Sequence, residues 1–203
     1  MILLAGAVAD ELGFWQTREG VELLITGVGP VEASCAVAQA LAARPCELVV
    51  NAGIAGAFDG AAQIGDGVVI EQDAMELNLE SGAPLALPNG TGLVDRAGSD
   101  PALVAALRAK GFRVCRGITV ARVTASEATA CRLGELGAQV ESMEGFAVLR
   151  AAQRAGVRAI ELRGISNYCG NRESSGWDFA AGISGLRRVL HALFELQDAA
   201  QSK

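Results

Sequence analysis

The sequence predicts an α/β fold, a three-layer sandwich around a mostly parallel but mixed central sheet. Short apolar runs of strand length alternate with stretches of helical periodicity along the chain. Glycine marks the strand ends, as in Gly27-Val28-Gly29-Pro30 and Gly53-Ile54-Ala55-Gly56. Of the 203 residues 51% are apolar and only 4% aromatic, which suits a core of small, close-packed side chains. That length fits a single domain over 1–203 and leaves little room for two.

The elements follow in order. Ile2–Gly6 is an apolar strand that turns at Gly6–Leu12 into a short helix. Asp10 and Glu11 there either complement a helix N-terminus or place a carboxylate at the mouth of the sheet. Val21–Thr26 is a second strand, and helix Val31–Ala43 follows, with Pro30 at its start, where a missing N–H costs nothing. Leu48–Ala52 is a buried strand leading into a glycine loop at 53–57. Ile64–Ile70 reads as a turn and a strand, and 75–98 as a long surface excursion rich in turn signals. Asp100-Pro101 opens a helix to Lys110, stopped by Gly111. Val114–Val123 is a strand, followed by Thr124-Ala125-Ser126-Glu127 and a polar helix. Val140–Gly145 carries Glu141 and Glu144, and an Ala-rich helix then ends at Gly156. Strand Ala159–Ile165 breaks at Ser166-Asn167-Tyr168. Residues 171–178 form a polar loop with Trp177, and Phe179–Gln197 is the last helix.

Charge and cysteine content exclude several functions. A net charge of −6 without any Lys/Arg run offers no face for nucleic acid. No apolar span reaches membrane-crossing length. The start, MILLAGAVA, lacks a basic segment and reads as a core strand rather than a signal peptide. Cys35, Cys46, Cys115, Cys131 and Cys169 match no zinc or CxxC spacing; they read as reduced core thiols of a cytoplasmic protein without a metal or cofactor. The single histidine, His191, reads as structural or exposed.

Loops 6–12, 27–30, 53–57, 122–127, 141–145 and 166–169 lie at strand ends and can converge on one edge, making a small-molecule cleft. An ionised side chain costs several kcal/mol when buried alone. Glu144, at a strand-to-helix junction, is therefore either paired with an arginine or placed to receive a polyhydroxyl ligand. Asn167 sits just past a strand end, where it either caps a turn or faces that ligand.

Taken in order, Gly6-Ala7-Val8-Ala9-Asp10-Glu11, Gly27-Val28-Gly29, Asn51-Ala52-Gly53-Ile54-Ala55-Gly56, Ile64-Gly65-Asp66, Val140-Glu141-Ser142-Met143-Glu144-Gly145 and Arg163-Gly164-Ile165-Ser166-Asn167 resemble the purine nucleoside phosphorylase and nucleosidase superfamily. The serine between Glu141 and Met143, and the Ser166-Asn167-Tyr168 ending, resemble its futalosine hydrolase branch. The resemblance implies hydrolysis of an N-glycosidic bond, with hypoxanthine released from futalosine in menaquinone biosynthesis, by a homodimer or larger homo-oligomer.

It also implies roles. Glu11 matches the carboxylate that orients the attacking water, a contribution of about 10²–10⁴ in rate. Glu144 accepts from two sugar hydroxyls, Met143 packs against the sugar, and Glu141 either contacts ribose or supports its loop. Ile54 and Val123 line the substrate site, and Arg163 and Ser166 position Glu11, the water and Asn167. Relatives that cleave 6-aminopurines have an aspartate where this chain has Asn167. A 6-oxopurine presents two acceptors, N7 and O6, to which an amide NH₂ donates and a carboxylate does not. Ile54 between Gly53 and Ala55, with no arginine after the first strand, favours water over phosphate. The family's aromatic residue that stacks on the base has no match near 126–128, leaving Phe146, Tyr168 and Trp177 as candidates. Arg96, Arg122 and Arg172 are candidates for the 5′ substituent. The alternatives are a methylthioadenosine/adenosylhomocysteine nucleosidase, a phosphate-dependent phosphorylase, and a nucleoside-binding protein without turnover.

Overall fold

The computed structural model describes residues 1–77, 85–170 and 176–201. Its strands are β1 (Ile2–Gly6), β2 (Val21–Ile25), β3 (Leu48–Ala57), β4 (Gly67–Met75), β5 (Arg96–Gly98), β6 (Arg113–Thr119), β7 (Val140–Ser142) and β8 (Arg158–Tyr168). Its helices are α1 (Pro30–Ala43), α2 (Pro101–Ala109), α3 (Glu127–Glu135), α4 (Gly145–Arg154) and α5 (Phe179–Gln201), with a 3-10 turn at Ala9–Leu12. β2, β1, β3 and β8 run parallel. β4 meets β8 antiparallel, and β7 meets β3 antiparallel. Because β6 pairs in parallel with both β4 and β7, the strands β3, β7, β6, β4 and β8 close a ring. The sheet is thus mixed, as expected.

Two helical layers cover it. α2 and α5 bury Leu103, Leu107, Leu186, Leu190 and Leu193 against Leu4, Val50 and Leu162. α1 and α4 bury Val37, Val148 and Leu149 against Leu3 and Val49. Burying a side chain of this size contributes about 1.5–3 kcal/mol, and strands covered on both faces account for their near-continuous apolar runs.

α5 approaches the sheet backbone to backbone. A Cβ on Gly164 would lie 1.9 Å from the carbonyl oxygen of Gly182, and one on Gly67 would lie 2.3 Å from that of Gly185. No side chain fits in that seam.

Several boundaries differ from those the sequence suggests. β3 does not end at Ala52 but continues through Ala57, with a bulge between Ala55 and Gly56. Its glycines are strand residues across which other side chains pack, not a loop. β8 extends to Tyr168, so Asn167 lies within the end of a strand rather than past it. β6 stops at Thr119, because its partner β7 is only three residues long. Cys35 and Cys131 are exposed and only Cys115 is fully buried, so the thiols are not all core residues; all five are free. His191 is exposed, beside Phe14. Parts of the 75–98 excursion (78–84) and of the 171–178 loop (171–175) lie outside the described residues. Among the described residues no helix is long and apolar enough to cross a membrane, and no cluster of His, Cys, Asp and Glu could hold a metal ion.

Candidate active site

The loops at the carboxyl ends of β1, β2 and β8, the bulged end of β3, and the β6–α3 and β7–α4 connections enclose a cleft of about 190 Å³. Glu11, Ile54, Val123, Glu141, Met143, Glu144, Ser166 and Asn167 all line it. Arg163 does not; it lies behind the lining, 1% exposed.

Glu11 hangs from the 3-10 turn and is 5% exposed. Its Oε1 accepts the N–H of Ile54 at 2.9 Å, and its Oε2 accepts those of Ala7 and Val8 at 3.2 and 3.3 Å. Burial pushes its pKa above the ordinary carboxylate value, opposed by the Ile54 N–H and the Arg163 charge. The carboxylate is thus fixed in direction yet basic for its type, which suits a group that takes a proton from water.

Gly53 makes this possible: a Cβ there would lie 2.6 Å from Arg163 Nη1 and 2.8 Å from Glu11 Oε1. Arg163 Nε donates to Glu161 at 2.8 Å, and Nη2 donates to the Ser142 hydroxyl at 3.2 Å. Burial works against the guanidinium charge, but Glu161, Glu144 and Glu11 outweigh it and raise its pKa. The arginine therefore keeps its charge and links the carboxylates of the cleft to the interior.

Glu144 is the N-cap residue of α4, yet its side chain does not cap that helix. It crosses to the β2–α1 loop, where its Oε1 accepts the N–H of Gly29 at 2.9 Å. Gly29 has φ 97°, a left-handed conformation that favours glycine. Neither expected alternative, an arginine partner or a solely ligand-facing carboxylate, describes Glu144 fully: one oxygen is anchored by backbone, and the residue lines the cleft. Glu141 accepts from the N–H of Thr124 at 3.0 Å and from the Thr124 hydroxyl. It thereby supports the β6–α3 loop while lining the cleft.

At the other end, the Ser166 hydroxyl lies 3.3 Å from the Ala55 carbonyl and 2.9 Å from Asn167 Oδ1 and gives its one hydrogen to the nearer acceptor, Asn167, while Asn167 Nδ2 donates to the Tyr168 carbonyl at 3.2 Å. With its oxygen tied back to Ser166 and one hydrogen on the Tyr168 carbonyl, the amide keeps one N–H for the cleft. Of the three aromatic candidates, Trp177 lines the cleft at its mouth. Phe146 packs against the α1–α4 core, and Tyr168 does not line the cleft. Arg122 faces a neighbouring hollow of about 440 Å³ that shares Val123 with the cleft, whereas Arg96 borders a separate cavity. Arg172 lies outside the described residues.

Sequence reasoning named the loops of Gly29 and Thr124 but gave neither residue a role at the site, and it missed the inner pair Asp73–Glu161. The last two had a legible signal: each is an acid inside an otherwise strand-like run.

The family model described as the phosphorylase superfamily matches residues 14–196. The chain is 34% identical over 190 residues to a futalosine hydrolase of Thermus thermophilus, covering 90% of this chain and 84% of the relative. It is 38% identical over 179 residues to a futalosine hydrolase of Streptomyces coelicolor, covering 83% and 76%. Among solved structures, a Helicobacter pylori futalosine hydrolase superposes with a TM-score of 0.80 at 16% identity, covering 96% of this chain and 97% of that one. A 5′-methylthioadenosine/S-adenosylhomocysteine nucleosidase of Neisseria meningitidis, bound to methylthio-immucillin-A, gives 0.77 at 16%, covering 95% and 97%. At such identities the structures bear on the fold alone, while the sequence relatives carry the family. The chain belongs to the phosphorylase superfamily, and within it to the futalosine hydrolase family.

Proposed function

We propose that this protein hydrolyses the N-glycosidic bond of futalosine, releasing hypoxanthine and dehypoxanthinyl futalosine, as a cytoplasmic step of menaquinone biosynthesis. The observation that carries the substrate assignment is the Ser166–Asn167 hydrogen bond. It holds the amide oxygen back and, with one N–H given to the Tyr168 carbonyl, leaves the other for a purine edge that only accepts, N7 or O6 of a 6-oxopurine.

In this reading Glu144 receives the ribose hydroxyls with the oxygen that Gly29 does not hold, and Met143 packs against the sugar. As the glycosidic bond lengthens, the sugar gains oxocarbenium character and the purine gains negative charge. Asn167 stabilises that charge by hydrogen bonding. A water beside Glu11 loses its proton to the carboxylate as its oxygen bonds to C1′, and the bonding pair leaves with the base. Ile54 fixes Glu11 through its N–H, Arg163 holds Glu11 and Glu144 in register, and Val123 packs against the base. No lysine or arginine lines the cleft among the described residues, and three glutamates do; an incoming phosphate would meet like charge. The chemistry requires no metal or cofactor. Residues 1–203 act as one domain, and the working form is a homodimer or larger homo-oligomer.

The test is release of hypoxanthine from futalosine by purified protein in phosphate-free buffer. A requirement for phosphate makes the protein a phosphorylase. Release of adenine from methylthioadenosine, with futalosine untouched, makes it the other nucleosidase.

A further inference from the structure

Behind the helix end that carries Glu144 lies a carboxylate with no part in the chemistry above. Asp73, on β4, is 1% exposed. Its Oδ1 accepts the Thr119 hydroxyl at 2.7 Å. A hydroxyl has one hydrogen, so that of Thr119 is committed to Asp73 and its lone pairs face elsewhere. There the same oxygen accepts the backbone N–H of Phe146, also at 2.7 Å.

Phe146 is the second residue of α4. A helix leaves its first four N–H groups without partners in the helix, and here two are satisfied from outside. Gly145 donates to the Ser142 hydroxyl at 3.1 Å, and Phe146 donates to Thr119. Glu144 contributes nothing to capping, since its side chain is turned to Gly29. The first turn of α4 therefore depends on Asp73 through Thr119.

The backbone also rests on the acids directly. A Cβ on Gly145 would lie 2.4 Å from Asp73 Oδ2 and 2.5 Å from Glu161 Oε1. Glycine is required there because the two carboxyl groups occupy that space.

We propose that Asp73 is a positioning residue for Glu144. Through Thr119 and the first turn of α4 it fixes the carboxylate that receives the ribose hydroxyls, and so sets the preference for ribo- over 2′-deoxyribonucleosides. The inference rests on the nucleosidase reading and on Glu144 as the sugar's partner. A role in holding the fold alone would lower activity on both sugars equally; a positioning role moves their ratio.

The experiment compares kcat/KM for futalosine and its 2′-deoxy analogue in wild-type protein, Asp73→Ala and Thr119→Val, with Asp73→Asn and Thr119→Ser as conservative partners. Thr119→Val keeps the side-chain shape, so the test survives if Asp73→Ala does not fold. The expected result is a ribo-to-deoxy ratio lowered about tenfold, the factor of one charge-assisted hydrogen bond poorly made, in Asp73→Ala and Thr119→Val. Asp73→Asn and Thr119→Ser, which preserve the acceptor and the donor, keep the wild-type ratio. A wild-type ratio in folded Thr119→Val overturns the proposal. A wild-type protein that cleaves neither substrate overturns the nucleosidase reading, and this inference with it.

Discussion

Exchanging Asn167 for aspartate changes one group and reverses what the cleft offers a purine edge. The magnitude follows from the bonds in place. Oδ1 is held by Ser166 at 2.9 Å, a contact that a carboxylate oxygen can keep. Of the two amide hydrogens one goes to the Tyr168 carbonyl at 3.2 Å, so one is free for the base without loss of an existing bond. Asn167→Asp removes that donor and sets an ionised acceptor against N7 or O6. Leaving one buried polar contact mispaired costs about 1–3 kcal/mol, which corresponds to a fall of about 5- to 150-fold in kcat/KM. The assay is hypoxanthine release from futalosine over a range of pH. Protonation converts the carboxylate to a donor, so the deficit shrinks as pH falls toward the ordinary carboxylate range near about 4. A variant within twofold of wild type at neutral pH would refute the assignment of Asn167 to the base.

Glu11→Gln keeps the shape of the side chain and removes the base; kcat should fall by about 10²–10⁴, with Tm measured alongside to show an intact fold. Asp73 and Glu161 are both fully buried, and both have pKa values raised first by desolvation; Glu161 raises that of Asp73 further, while Arg163 opposes the shift of Glu161. A carboxyl whose folded pKa is raised binds protons more readily in the native state. Its stabilising contribution is present below the unfolded value, near 4, and is lost as pH rises toward the folded value. Asp73→Asn should therefore gain Tm relative to wild type as pH increases from about 4 to 8, and a constant Tm difference across that range would contradict it. Gly164→Ala drives a methyl into the Gly182 carbonyl and should cost about 3 kcal/mol or more in denaturant unfolding; wild-type stability would mean that α5 can move away from the sheet. Trp177→Ala, at a side chain 61% exposed, should raise KM more than it lowers kcat, read from Michaelis curves on futalosine.

What could be read from the chain and what could not divides along the range of the interactions. Glu11, Glu144 and Asn167 each stand at a junction of strand, turn and helix, and such junctions are written locally in Gly, Pro and apolar runs. Their partners are not local. Glu144 finds the N–H of Gly29 across 115 positions, and Glu11 finds that of Ile54 across 43. No periodicity carries such a pairing. The continuation of β3 through Gly53 and Gly56 was hidden for a related reason. Glycine signals a turn in sequence, whereas here its missing Cβ makes room for Glu11 and Arg163 on one residue and for Asn167 and Cys169 on the other. Asp73 was legible in principle, as an acid within the β-like run Gly67–Met75, but only the packing of Gly145 shows what it serves.

The bare seam between α5 and the sheet reaches the cleft. A Cβ on Gly182 would lie 2.9 Å from Ser166 Cβ and 3.2 Å from Ile54 Cγ2. Behind the Ile54 and Ser166 side chains, α5 therefore presents only the bare main chain of Gly182, with no side chain of the helix left to trim. Selection or design that seeks a roomier chamber for a bulkier nucleobase has no spare volume to carve from behind. New substrate scope in this protein has to come from the rim, around Val28, Val123 and Trp177, while the floor stays as it is.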